Sequence, residues 1–270
     1  MSNKNIPLSI KFTNVRGLGF FSKGKLNLSK VPFKIKELTC SANYVPSIFV
    51  CLETKLKSSH REIKLPKGCV YGGETSGNEP KAGIFVYHDN VFKILETRTI
   101  ISTHCMYLKY KIGDSIFHLI PTYLPSCSTL ELKDMLNRIA TFIKDHNLTA
   151  FTFFGDFNID FNNPGHFYRA KLLHDFLVRH NMINLANKLS VNPIFTWRGS
   201  GQRFNSKSNI DYFFCNFDYF NHIEFRFNSF SDHKTVTVAK KSKFKYKNQT
   251  WKPFLFKDKN FLDIMKTETE

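Results

Sequence analysis

Residues 150–160 read Ala-Phe-Thr-Phe-Phe-Gly155-Asp156-Phe-Asn158-Ile-Asp160. The apolar run 150–155 predicts a buried strand, and Gly, Asp and Asn behind it are residues that favour turns. Taken alone, Gly-Asp-Phe-Asn is an ordinary strand exit. It decides the fold because the same pattern, a strand with a polar group at its end, recurs along the chain. Residues 8–14 alternate as a strand and finish at Asn14. A buried strand at 47–52 finishes at Glu53. A strand at 115–123 finishes at Tyr123, between Pro121 and Pro125. Asp211 lies in a strand at 209–215, and Ser231-Asp232-His233 precedes a last strand at 234–239.

The segments between carry helices one at a time. A helix is expected over 31–43, opening at Pro32. Residues 128–145 start with the capping box Ser128-Thr-Leu-Glu131 and place Leu132, Leu136, Ile139 and Ile143 at helical spacing. A helix over 166–180 sets Phe167, Ala170, Leu173 and Leu177 on one face. Further strands are expected at 83–87, 91–96, 104–111, 194–197 and 222–227, and loops around one short strand at 57–82. No repeat and no change in composition interrupts 1–239, which is read as one domain. Residues 240–270 form a basic tail or connector. Its first part, 240–259, holds eight lysines and one acid, and Trp251, Phe254, Phe256 and Phe261 suggest that it packs on something.

Composition narrows the partners. The 270 residues are 42% apolar and 23% charged, so wholesale disorder is excluded. A formal charge of +17 favours a polyanion, although a lysine-rich codon bias gives the same excess. No apolar run is long enough to span a membrane, and Met1–Pro7 has no signal-peptide pattern. The six cysteines show no CxxC spacing and read as reduced core thiols. An intracellular, nuclear protein with no membrane partner is expected.

If the strands share a sandwich, their ends converge on one edge, and carboxylates, amides, a phenol and a histidine meet there. Such a set suits phosphodiester hydrolysis. A hard divalent cation takes carboxylate oxygens, and Glu53 is the best placed ligand. The attacking water needs an acceptor, for which Asp156 is a candidate. His233 and Asn158 would donate to developing negative charge, and Asp211 would orient the histidine. Each residue alone has an ordinary structural explanation; the ordered set is the signal.

That set, Asn14, Leu-Glu53-Thr, Tyr123, Gly-Asp156-Phe-Asn158, Ser208-x-x-Asp211-Tyr and Ser231-Asp232-His233, resembles the endonuclease/exonuclease/phosphatase superfamily, the DNase I-like fold. The resemblance covers 8–239 and implies a four-layer α/β/β/α sandwich of two packed mixed sheets. Phe195-Thr196-Trp197-Arg198 and Gly-Asp-Phe-Asn-Ile-Asp160 look closest to the apurinic-like endonuclease domain of non-LTR, LINE-type retrotransposons. By this resemblance Glu53 would bind the metal, Mg²⁺ or Mn²⁺, with Asn14 in its shell and Asp232 close by. Asp156 would align or deprotonate water, Asn158 and Tyr123 would hold the phosphate, and His233 would contact it, paired with Asp211. Arg16 stands where repair enzymes of this fold usually carry an acid, and would touch phosphate instead.

Arg198, Arg203 and Lys207 lie in the loop 198–207, which in that family reaches into the DNA groove. The implied activity is a Mg²⁺-dependent nick in DNA that leaves a 3′-hydroxyl to prime reverse transcription. DNA is then the substrate, and a reverse transcriptase domain or element RNA the partner. The alternatives are an abasic-site repair nuclease on the same fold and a decayed domain that binds nucleic acid without cutting it.

Overall fold

A computed structural model describes residues 8–17, 20–22, 25–27, 47–55, 69–72, 83–88, 91–191, 193–199 and 205–240. The helix expected over 31–43, most of 57–82, Arg203 and the tail beyond Lys240 lie outside these residues.

Two six-stranded sheets dominate the described residues. The first contains β1 (Ser9–Asn14), β4 (Ser47–Leu52), β5 (Cys69–Gly72), β6 (Ile84–His88), β15 (His222–Arg226) and β16 (Thr235–Ala239). Their order is β15-β16-β1-β4-β6-β5. The second contains β7 (Lys93–Ile101), β8 (Cys105–Ile112), β9 (Ser115–Tyr123), β10 (Thr152–Asp156), β11 (Ile183–Asn184) and β14 (Asp211–Cys215), in the order β11-β14-β10-β9-β8-β7. Both sheets are mixed. β1 runs parallel to β4 and antiparallel to β16, while β10 runs parallel to β9 and antiparallel to β14. Two short ribbons complete the strands: β2 (Phe20–Ser22) with β3 (Lys25–Asn27), and β12 (Trp197–Arg198) with β13 (Lys207–Ser208).

The sheets pack face to face because alternate residues on each are apolar. Ile10 and Phe12 of β1 and Ile48, Val50 and Leu52 of β4 meet Leu108, Leu119, Phe154 and Phe213 of the second sheet in one cluster. The Phe12 and Phe154 rings, 5.2 Å apart, mark the contact. The opposite face of the second sheet turns Tyr107, Ile120, Phe153 and Phe214 toward the helices α1 (Thr129–Asp145) and α2 (Phe167–Arg179). Phe153, Phe154, Phe213 and Phe214 are all buried. Removing such a ring from water stabilises a fold by roughly 1.5–3 kcal/mol, so the abundance of phenylalanine is used in the core. A third, four-residue helix, α3 (Leu185–Lys188), follows β11. This α/β arrangement of two packed mixed sheets is the DNase I-like architecture. No helix among the described residues is long and apolar enough to cross a membrane.

Local chemistry sets the element ends. Ser128 caps α1: its hydroxyl accepts the Glu131 N–H, and Glu131 Oε2 accepts the Ser128 N–H at 2.8 Å. Leu132, Leu136, Ile139 and Ile143 are buried as their spacing predicts. Two expectations are corrected. Phe167 is 63% exposed and packs edge-on against Tyr168 instead of facing the core. It is the first residue of α2, and Phe176 takes the place beside Leu173 and Leu177. The strand expected at 194–197 begins only at Trp197, in β12, and the Thr196 hydroxyl before it accepts the Ile210 and Asp211 N–H groups. Cys51, Cys105 and Cys215 are buried free thiols, and Cys127 is half-buried.

Candidate active site

The registers of the two sheets bring the polar strand ends together. In the second sheet Asp156 stands between Tyr123 on β9 and Asp211 on β14. In the first, Asn14 stands opposite Leu52, so Glu53 follows at the same edge. Asn14 joins the sheets. Its amide Nδ2 donates to Glu53 Oε2 and to Asp156 Oδ2, both at 2.8 Å. Its Oδ1 accepts the Arg16 backbone N–H at 2.9 Å, so the amide oxygen faces away from the carboxylates.

Gly155 explains how Asp156 reaches this position. Its φ is +141°, and a Cβ there would lie 1.8 Å from the Thr122 carbonyl oxygen. Only glycine allows β10 to approach β9 so closely. Asp156 Oδ1 then accepts the Asn158 N–H at 2.9 Å, in a turn with Asn158 at φ +50°. Asn158 Nδ2 donates to the Leu124 carbonyl and ties the turn to the end of β9. Arg169 of α2 donates to the carbonyls of Asn158 and Pro125 and fastens the same turn from outside.

His233 is buried beside these groups. Its Nδ1 donates to Asp211 Oδ2 at 3.0 Å, and its Nε2 lies 3.9 Å from Asp156 Oδ2, beyond hydrogen-bond range. Burial alone would lower the imidazole pKa, but the surrounding carboxylates, Asp211 foremost and then Asp156 and Asp232, outweigh it and raise the value to about 9. Burial also holds the Asp156 carboxyl well above the usual carboxylate range, against the pull of His233. Burial raises the Tyr123 phenol too, and its ring stacks on His104 with centroids 5.8 Å apart.

Two carboxylates on the outer side carry protein cations. Glu53 Oε1 pairs with Lys55 at 2.8 Å. Asp232 Oδ2 accepts from Arg16 Nη1 at 2.7 Å and from the Trp197 indole at 2.9 Å. Arg16, expected to meet phosphate, therefore pairs with Asp232, although its side chain stays 52% exposed. Arg16, Glu53 and Lys55 all have left-handed backbone, at φ +45°, +53° and +52°. Each such residue costs about 1–2 kcal/mol, and strain of this kind gathers at functional sites. Lys207 sits over the Phe195 ring, and Arg198 donates its backbone N–H to the Asp232 carbonyl.

The oxygen donors fit a hard cation. Asp232 Oδ1 is buried with no hydrogen-bond partner, an acceptor that an ion would satisfy. Asp156, Asp211 and His233 also offer ligand atoms within 4.8 Å of one another; Asp211 engages His233 Nδ1, and Nε2 is the ring nitrogen toward Asp156.

Several supports were missed in sequence. The Thr196 hydroxyl accepts the N–H groups of Ile210 and Asp211, at 3.0 and 3.1 Å, and its carbonyl accepts the Lys234 N–H. Asn228 donates to the His233 carbonyl. Asp160 accepts the Asn209 N–H and joins the Gly-Asp-Phe-Asn turn to the segment ahead of Asp211. Threonine in Phe-Thr-Trp-Arg was visible as a motif, but nothing in its spacing named its partners.

The fold and this geometry define the class: the chain has the endonuclease/exonuclease/phosphatase fold. No protein-family model matches the sequence, and no curated protein matches it. Solved structures do. The endonuclease domain of TRAS1, a telomere-specific non-LTR retrotransposon, is similar with a TM-score of 0.63 and 15% identity, over 88% of this chain and 100% of that one. The 3′ phosphatase NExo from Neisseria, bound to a product DNA hairpin, gives a TM-score of 0.65 and 14% identity over 87% and 99% of the two chains. The AP endonuclease LMAP from Leishmania major gives 0.63 and 14% over 87% and 88%.

Proposed function

We propose that the chain is a divalent-metal-dependent DNA endonuclease. It nicks one strand and leaves a 3′-hydroxyl that primes reverse transcription for a retrotransposon. The observation that carries this reading is the Asn14 bridge. One amide holds Glu53 and Asp156 together, while His233 and Asp211 close on Asp156 from the other side.

Each residue then has a task. Glu53 and the unpartnered oxygen of Asp232 would hold Mg²⁺ or Mn²⁺, and Asn14 fixes the Glu53 carboxylate. Bound there, the ion supplies positive charge to the scissile phosphate. Asp156 accepts the proton of the attacking water. Its raised pKa makes it a stronger base than a solvated carboxylate, and Asn14 and the Asn158 N–H fix its two oxygens. His233, kept protonated by Asp211, directs Nε2–H at the phosphate oxygens as negative charge develops. Tyr123 and the second N–H of the Asn158 side-chain amide would hold the phosphate. Arg198, Arg203, Lys207 and Arg16 bring positive charge to the DNA backbone. The retrotransposon assignment draws on the likeness to the TRAS1 domain and on Phe195-Thr196-Trp197-Arg198.

Supercoiled plasmid tests the reading. Nicked circles are expected with Mg²⁺ and not with EDTA, and a DNA polymerase should extend the nicks directly from their 3′ ends. Ends that need phosphatase treatment before extension would contradict the priming role. Cleavage confined to abasic sites would replace it with repair.

A further inference from the structure

Phe195, Phe227, Lys207 and Lys234 form a cluster that the catalytic assignment does not use. The Phe195 and Phe227 rings lie 5.7 Å apart. Lys234 Nζ sits 4.3 Å from the Phe195 centroid and 4.7 Å from that of Phe227, and Lys207 Nζ sits 5.0 Å from Phe195. Phe227 is 60% exposed. Among the described residues, neither lysine is ion-paired with an acid. An exposed ring with one ammonium group at it and a second lysine on the adjoining ring suits an anionic ligand with a flat face.

The cluster is fixed to the catalytic histidine. Phe195 precedes Thr196, whose carbonyl accepts the Lys234 N–H at 2.7 Å. Phe227 precedes Asn228, whose amide donates to the His233 carbonyl at 3.0 Å. Lys234 itself follows His233. These bonds tie the backbone that carries the rings to the backbone on either side of His233. Lys207, on β13, adds a second ammonium group at the Phe195 ring.

We propose that these four residues form a second nucleic-acid subsite, which takes an unstacked nucleotide of the DNA flanking the cut. The base stacks on Phe227, and its phosphate meets Lys207 and Lys234. The subsite rests on the nuclease reading and narrows it: the substrate would be DNA with unpaired nucleotides beside the nick site, in preference to intact duplex.

The test uses Asp156→Ala protein in EDTA, so that no cutting occurs. The probes are a plain duplex and the same duplex with a three-nucleotide mismatch bubble containing 2-aminopurine. Tighter binding of the bubble with a change in 2-aminopurine fluorescence is expected. Phe227→Ala should weaken bubble binding by about tenfold and abolish the fluorescence change, while leaving duplex binding in place. Phe227→Tyr should restore both. Equal affinity for the two probes, or a Phe227→Ala protein that still prefers the bubble, would overturn the subsite while leaving the nuclease reading intact. Absence of binding to either probe would overturn both. On single strands, Lys207→Gln should reduce the log–log salt slope by about 0.7; an unchanged slope would remove Lys207 from the subsite.

Discussion

The two halves of the site are built differently. Asp156 and Asp211 on the second sheet are buried together with His233, which precedes β16 of the first, and their polar atoms are largely satisfied by one another and by neighbouring backbone. On the first, Glu53 and Asp232 face Lys55 and Arg16, cations that reach in from the surface. The dry half suits proton handling, because burial raises the Asp156 pKa and the carboxylates around His233 raise its own against burial. The outer half suits an ion and a phosphate, because surface ion pairs contribute little stability and exchange partners readily. Asn14 is the joint between them.

The largest effect should come from breaking the joint's geometry on the dry side. Gly155→Ala drives a Cβ into the Thr122 carbonyl, so we expect a loss of several kcal/mol or outright failure to fold, measured by urea unfolding. A soluble protein of native stability would show that β9 and β10 can part. Next, Asp211→Asn removes the charge that holds the His233 proton. Nicking should fall by about 10²–10⁴-fold, with some loss of stability because the His233–Asp211 pair is buried, and the same substitution logic at Lys55 should do far less. A wild-type rate for Asp211→Asn would make the buried pair structural only.

Thr196→Val leaves the buried Ile210 and Asp211 N–H groups without their acceptor. Each such group costs about 1–3 kcal/mol, and the loss should appear as lower stability and a slower nick together. Wild-type stability would mean that another acceptor replaces the hydroxyl.

The smallest effect separates the halves by pH. In EDTA, the fold holds His233 at about 9 against 6.5 in the unfolded chain. The folded state therefore binds the extra proton between these values. Its stabilisation is fully present below about 6.5 and is lost as the pH rises through about 9. Thermal melts from pH 6 to 10 should show this decline in wild type and a flatter profile in His233→Gln. Identical profiles would place the imidazole in an ordinary environment.

Much of this was legible in the chain because strand ends are local features. Gly155, Asp156 and Asn158 announce a turn wherever they stand, and the Ser128–Glu131 box needs no tertiary knowledge. The pairing of ends was not local. Arg16 and Asp232 meet across 216 residues, and no periodicity links them. Nothing in the sequence therefore signalled that Arg16 pairs with Asp232. Thr196 was quoted as part of a motif, but its role as acceptor for two backbone N–H groups depends on the path of the segment before β14. Phe167 failed for a different reason: helical spacing identifies a face but not how far along the helix the core extends.

The central claim is that Asp156 takes the proton of the attacking water at the point where the two halves meet. Asp156→Asn keeps the shape of the side chain and removes the base. Single-turnover nicking and DNA affinity should be measured on the same preparation. The account predicts a rate lower by about 10²–10⁴-fold with affinity for DNA retained; a variant that nicks at the wild-type rate would contradict it.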